Sequence, residues 1–248
     1  MVTTISIIVP VYNEAENILP LAKEVGSAMA LQAHSFELVL VDDASTDSTW
    51  SVIEKASASF PFIRGLRHLR NAGQSAALWT GIQATTSPII ATLDGDLQND
   101  PADLVRMLAE LEHVDFVSGM RLQRQDNFLR RISSRIARWA RKSVLKVDFR
   151  DTGCAIRAFK RSTLTHLFPF NGLHRFLPVL VHGNGARTLE VPVNHRPRVA
   201  GVSKYGVWNR LGRGVHDLLA IAWYLKRRIG PVPFSELKRA PDVNTPQA

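Results

Sequence analysis

Ile89-Ile-Ala-Thr-Leu-Asp94-Gly-Asp96-Leu-Gln98-Asn-Asp-Pro101 runs from a short apolar stretch straight into two carboxylates separated by glycine, then into a proline placed to open a helix. A strand this apolar suits a sheet covered on both faces, and proline is at home in the first turn of a helix. The same beat extends upstream. Ile5-Ser-Ile-Ile-Val closes at Pro10 and precedes a helical pattern over Asn17–Leu31. Phe36–Val41 is followed by a helix capped near Thr46 or Asp47, and Phe62–Leu66 by a helix over Gln74–Ala84. Pro101–Glu112 and a strand at Val114–Ser118 complete the series. Buried strands alternating with helices predict an α/β fold: a mostly parallel, twisted sheet with helices on both faces.

Beyond Ser118 the beat breaks. Phe128, Ile132, Ile136, Trp139 and Val144 fall at helical spacing with arginines between them, which reads as a basic amphipathic helix. A strand over Thr152–Phe159, a helix from His174, a strand ending at Val191-Pro-Val193 and a last helix over Val207–Arg228 follow. The proline-rich segment after Pro231 reads as a loose tail.

With 248 residues, 45% of them hydrophobic and 21% charged, the chain can bury a substantial core, which argues against wholesale disorder. The single cysteine, Cys154, excludes an internal disulfide and reads as a small core residue. The start shows no basic segment ahead of its apolar run, and the longest apolar stretch, Leu218–Leu225, is far short of the about twenty residues a membrane span needs. The expectation is a cytoplasmic protein, soluble or lying on the inner face of the membrane. The net charge of +9 gathers in 121–142 and 196–239, implying polyanionic partners: nucleic acid, anionic lipid or phosphorylated substrate. No nucleic-acid-binding module is present, and acids crowd the strand ends, so nucleic acid is set aside.

In parallel sheets ligands bind beyond the carboxyl ends of the strands. Here those loops read Pro10-Val-Tyr12-Asn-Glu14, Asp42-Asp43-Ala-Ser-Thr-Asp47 and Asp94-Gly95-Asp96-Leu-Gln98. No glycine-rich dinucleotide or P-loop pattern follows a strand. If residues 94–98 are extended, Asp96 and Gln98 point the same way and could share one hard cation, Mg²⁺ or Mn²⁺, with substrate phosphates. Taken alone, the pattern also suits a polar turn with Asp100 as the N-cap of the next helix.

Together, PVYNE (10–14), VDDASTD (41–47), RNAGQSAAL (70–78) and DGDLQNDP (94–101) resemble the inverting nucleotide-sugar glycosyltransferases of the GT-A fold. The resemblance implies that Pro10, Tyr12, Glu14, Asp42 and Asp43 hold the nucleotide of a UDP- or GDP-sugar. Asp94, Gly95 and Asp96 then meet the sugar diphosphate and the metal. Asn71 is either part of the donor site or only a helix entry. Residues 1–206 become the catalytic domain, its donor half 1–120 and its acceptor half 121–206. Residues 207–230 become a membrane-associating helix and 231–248 a flexible tail.

Asp151-Thr-Gly-Cys-Ala-Ile-Arg157, His174-Arg-Phe-Leu-Pro178 and the stretch from Val191 through Arg196 and Ser203-Lys204-Tyr205 look like the polyprenyl-phosphate sugar synthases of that family. Some such members depend on small membrane subunits. A phosphate monoester acceptor is already largely ionised at neutral pH, so it needs cations to position it more than a strong base. Arg121, Arg131, Arg196, Arg198 and Lys204 are the candidate cations, with Ser134 and Ser203 beside them, and Arg196 or Lys204 could instead close over the donor diphosphate. Asp151 joins Asp94 and Asp96 as a catalytic candidate: it orients Arg157, acts as a base, or forms a structural ion pair. A hydroxyl acceptor, lipid-linked or polysaccharide, is the alternative and would require a defined base. Docking on an anionic membrane through the 128–147 and 207–228 helices completes the reading, with packing of Val207–Leu225 against the catalytic domain as ordinary core the alternative for the last helix.

Overall fold

A computed structural model describes residues 4–30, 32, 34–121, 142–145, 147–197 and 207–227, with side chains in the last segment from residue 216 on. Arg131, Ser134, Arg198, Ser203 and Lys204 lie outside the described residues. So do most of the basic helix read at 128–147 and the tail.

The chain alternates β1 (Thr4–Val11), α1 (Ala15–Met29), β2 (Ser35–Asp42), α2 (Thr49–Ser59), β3 (Ile63–Arg67), α3 (Gln74–Gln83), β4 (Ile89–Thr92), α4 (Ala102–Glu110) and β5 (Phe116–Arg121). The second half supplies β6 (Arg157–Lys160), a 3₁₀ turn at Arg161–Leu164, α5 (Leu173–Gly183), β7 (Thr188–Val193) and α6 (Val207–Arg227). These form one seven-stranded sheet in the order β3-β2-β1-β4-β6-β5-β7. β1 pairs in parallel with both β2 and β4, so the direction of winding reverses between β1 and β4. β6 alone runs against its neighbours, with Arg157 opposite both Thr92 and Ser118. The strand expected over Thr152–Phe159 is therefore shorter and later, because residues 151–156 turn and loop to bring Asp151 back onto β5.

Alternation along the strands sorts the core onto two faces. Ile5, Ile7, Val9, Leu38, Leu40, Ala91 and Val117 face α1, α2 and α4. Ile8, Val39, Val41, Ile90, Phe116 and Phe159 face α3 and α5. α6 closes over α5: Ile221 is buried, and Gly183 lets Leu225 approach so closely that a Cβ there would lie 2.6 Å from Leu225 Cδ2. Helix starts follow local chemistry. Asp47 Oδ1 accepts the Thr49 amide at 2.9 Å, and Asp100 Oδ1 accepts the Ala102 amide at 3.1 Å.

Candidate active site

The loops after β1, β2 and β4 converge at the winding reversal, where open α/β sheets place their ligands. Each contains a non-glycine residue in left-handed backbone: Asn13 (φ 56°), Ala44 (φ 59°) and Leu97 (φ 61°). Asparagine tolerates that region; alanine and leucine do so at a cost, and such strain gathers at ligand sites. The first two loops are stitched together. The Asn13 amide donates to Ser45 Oγ at 2.9 Å, Asn13 Oδ1 accepts the Thr46 amide at 2.8 Å, and the Glu14 amide donates to Thr49 Oγ1 at 2.9 Å. Pro10, one residue before the end of β1, pairs beside Val41, and Tyr12 and Glu14 follow the strand in the loop.

Asp42 is fully buried. One oxygen accepts the Ser45 amide at 2.9 Å; the other lies 3.3 Å from Arg67 Nε without hydrogen-bond alignment. Arg67 in turn stands over the Trp50 ring, 5.5 Å from its centroid. Asp43 faces the other way. Its carboxylate takes the Ala72 and Gly73 amides at 2.8 and 2.7 Å and meets His68 Nδ1 at 2.7 Å, while Asn71 Nδ2 donates to its carbonyl at 3.1 Å. Asp43 and Asn71 thus hold the 68–73 loop that leads into α3, the helix-entry role open to Asn71 from sequence. Gly73 there has φ 90°, which favours glycine.

After β4 the backbone turns tightly, so the expectation of an extended 94–98 segment is corrected: Leu97 is left-handed and Gln98 N donates to Asp96 Oδ1 at 3.2 Å. The parity argument that aimed Asp96 and Gln98 together falls with it; the turn itself is what sets them near one another. Gln98 Nε2 donates to Arg196 O at 3.3 Å, which leaves its amide oxygen as the metal-competent atom. Gly95 packs against β1, where a Cβ would lie 2.7 Å from Val11 Cγ1. Asp94 accepts Gln74 Nε2 at 2.9 Å, and Asp96 is buried. Among the described residues no group of three or more His, Cys, Asp and Glu side chains could cage a metal. The donors present, carboxylate and amide oxygens, fit a hard cation whose shell a diphosphate completes.

On the acceptor side Asp151 grips Arg121 bidentately, at 2.7 Å to Nε and 2.9 Å to Nη2. Burial alone would lower the Arg121 pKa, but the Asp151 hydrogen bonds outweigh it and hold the guanidinium above its ordinary value. Of the roles open to Asp151 from sequence, the structure shows an ion pair, made with Arg121 and not with Arg157. Two of Arg121's five N–H groups are used this way. Glu190 steadies the loop by accepting the Arg150 and Asp151 amides at 2.8 and 2.9 Å. Arg157 is buried in the sheet, its pKa pushed down to about 10 by burial against the pull of Cys154, Asp94 and Asp151. It donates to Thr152 O at 3.0 Å; its Nε and the Oγ of its cross-strand neighbour Ser118 have no hydrogen-bond partner among the described residues.

Arg196 is held by two carboxylates. Its guanidinium bonds Glu24 at 2.7 Å and pairs with Asp100 at 3.0 Å, and Glu24 first, with Asp100, raises its pKa. It fastens the segment after β7 to α1 and to the loop after β4, helped by a bridge between Asn99 and His195. In this arrangement it straps the site. Sequence reasoning missed Gln74, Glu190 and His174. Gln74 and His174 stood in quoted motifs at helix starts, whereas Glu190 becomes visible only once β7 is known to lie beside β5.

Residues 6–168 match the model of Glycosyl transferase family 2. The chain is 37% identical to dodecaprenyl-phosphate galacturonate synthase of Rhizobium johnstonii over 236 residues, 93% of this chain and 70% of that one. It is 35% identical to undecaprenyl-phosphate 4-deoxy-4-formamido-L-arabinose transferase of Pseudomonas fluorescens over 204 residues, 81% of this chain and 60% of that one. It thus spans 60% to 70% of the length of these two relatives. Mannosyl-3-phosphoglycerate synthase of Rubrobacter xylanophilus shares the fold with a TM-score of 0.66 at 13% identity, covering 95% of this chain and 79% of that one. Glucosyl-3-phosphoglycerate synthase of Mycobacterium tuberculosis, solved with Mn²⁺, UDP and glucosyl-3-phosphoglycerate, gives 0.60 at 20% identity, over 90% and 79%. The strand-end acids gathered at the winding reversal are those of a GT-A sheet, and the chain belongs to glycosyl transferase family 2.

Proposed function

We propose that the protein transfers a sugar, with inversion, from a nucleotide diphosphate sugar to a polyprenyl phosphate on the cytoplasmic face of a membrane. The observation that carries this is the packing of Gly95 on Val11, which sets Asp94 and Asp96 against the loop beside buried Asp42. Nucleotide and diphosphate are then held by adjacent loops: Pro10, Tyr12, Glu14 and Asp42 toward the base and ribose, Asp94 and Asp96 toward the sugar diphosphate. The polyprenyl-phosphate relatives support the acceptor. A UDP donor follows the neighbour solved with UDP. Asp96 and the Gln98 oxygen would hold Mg²⁺ or Mn²⁺, which when bound supplies positive charge to the departing diphosphate. Arg121, aligned by Asp151, positions the acceptor phosphate, whose own oxyanion attacks the anomeric carbon. Arg131, Ser134, Arg198, Ser203 and Lys204 complete the acceptor site in this reading. An anionic membrane surface and small membrane subunits are the partners it entails.

Turnover of radiolabelled UDP- and GDP-sugars with a short polyprenyl phosphate tests the proposal. Asp96→Ala is expected to lose turnover by at least about 100-fold, as when a group that stabilises transition-state charge is removed, with an unchanged melt. Full activity of that variant, or of the wild type in excess chelator, contradicts it.

A further inference from the structure

Ser75 and His174 meet where the first turns of α3 and α5 pack together. Ser75 Oγ accepts the Gly172 amide at 3.0 Å and lies 3.5 Å from the His174 amide, so its lone pairs are taken. Its one proton is left for His174 Nδ1, 2.6 Å away. Nδ1 is then an acceptor, and the ring proton sits on Nε2. Burial, with Arg175 and Arg157 adding to it, pushes the His174 pKa down to about 3, so the ring is neutral at physiological pH.

The ring is also well placed. Gln74, the residue before Ser75, donates to Asp94, so one turn of α3 ties both Asp94 and His174. Buried Arg157 exerts its charge on both. Leu173, Phe176 and Leu177 anchor the first turn of α5 in the core, and Gly172 enters it in left-handed backbone (φ 115°). The imidazole itself is half-buried, and its Nε2 makes no hydrogen bond among the described residues.

We propose that His174 donates its Nε2–H to a ring or hydroxyl oxygen of the sugar being transferred, and so helps select the nucleotide sugar. The assignment rests on the transferase reading above. A carboxylate such as Asp94 accepts hydrogen bonds from hydroxyl groups, whereas a neutral imidazole N–H donates to oxygen. Tied to the same turn of α3 through Gln74 and Ser75, an acceptor and a donor of this kind together fix a hydroxyl's orientation, and a site built this way discriminates strongly against a sugar that cannot satisfy it. A neutral donor also avoids drawing the diphosphate out of its place, as an imidazolium would.

Two variants separate this role from a structural one. His174→Gln keeps a donor near the Nε2 position and loses the Ser75 contact; His174→Asn keeps a polar atom near Nδ1 for Ser75 and loses the donor. Each is titrated with UDP as the sugar-free probe, then assayed for kcat/KM with UDP-glucose, UDP-galactose and UDP-galacturonate and a polyprenyl phosphate, with melting curves alongside. UDP affinity is expected to stay within about twofold in both. The ratio of the best to the second-best sugar should hold within about threefold in His174→Gln and collapse by about tenfold or more in His174→Asn, within the range one lost contact gives. Sugar preference kept in His174→Asn, lost equally in both variants, or lost together with UDP affinity overturns the role of His174 while leaving the transferase reading standing. A wild type that turns over none of these donors and none of the UDP- and GDP-sugars of the wider panel overturns both.

Discussion

Gly95 has no room for a side chain: its neighbour across the gap, Val11, belongs to β1, which cannot retreat without disturbing both β2 and β4. Gly95→Ala should therefore shift the Asp94–Asp96 turn. Overpacking of this kind costs about 1–3 kcal/mol, and misplacing catalytic groups by about 1 Å costs about 100-fold in rate. Turnover should fall far more steeply than the melting temperature, as paired kinetics and calorimetry would show; equal activity would remove Gly95 from the account. His174 has a separate signature. Neutral in the fold and protonated in the unfolded chain below its ordinary pKa of 6.5, it makes stability fall as pH drops from about 6.5 toward its folded value near 3. The loss should reach about 1–2 kcal/mol by pH 5, before most carboxylates titrate. Denaturant melts at pH 7 and pH 5 should show it in wild type and not in His174→Gln; the same slope in both would contradict the buried neutral ring. At this scale the sequence was informative where a residue type and its place after a strand suffice, as for Asp42, Asp94 and Asp96. It was silent where the partner is distant: Glu24 lies 172 positions from Arg196, and nothing in the local sequence marks that pair.

Elements were legible by period. The strands and helices up to β5 fall within a few residues of their expected limits, because fully buried strands and amphipathic helices write themselves into hydrophobic spacing. β6 was misplaced because its four residues are too few to carry a period, and its reversal depends on pairing with β4 and β5. α6 held two readings, core or membrane, and its two faces divide them. Ile221 is buried and Tyr224 Oη donates to His166 O at 3.0 Å, whereas Leu219 and Trp223 are 60% and 67% exposed just before Lys226 and Arg227. No helix among the described residues is long and apolar enough to cross a membrane. Ile221→Ala should cost about 2–5 kcal/mol. Leu219→Ser with Trp223→Ser should leave the melt within about 0.5 kcal/mol yet weaken sedimentation with phosphatidylglycerol vesicles at low salt. Vesicle binding unaffected by the double change would place the docking surface elsewhere.

Across the whole molecule, charge and architecture divide the labour. The net +9 is read from sequence alone, and so is the crowding of acids at one end of the sheet. The net positive charge suits a phosphorylated lipid in an anionic bilayer, while the acids at the winding reversal suit a metal-bound diphosphate. Which sugar is carried depends on side chains such as His174 whose meaning appears only when α3 and α5 are packed together. The central claim is that the acceptor brings its own nucleophilic oxyanion, which is why Asp151 can be committed to Arg121 instead of serving as a base. The most direct measurement gives the protein one radiolabelled nucleotide sugar, Mg²⁺, and either undecaprenyl phosphate or undecaprenol, and counts label in the lipid phase. The account predicts label on the phosphate and none above background on the alcohol; equal or greater transfer to the alcohol would contradict it.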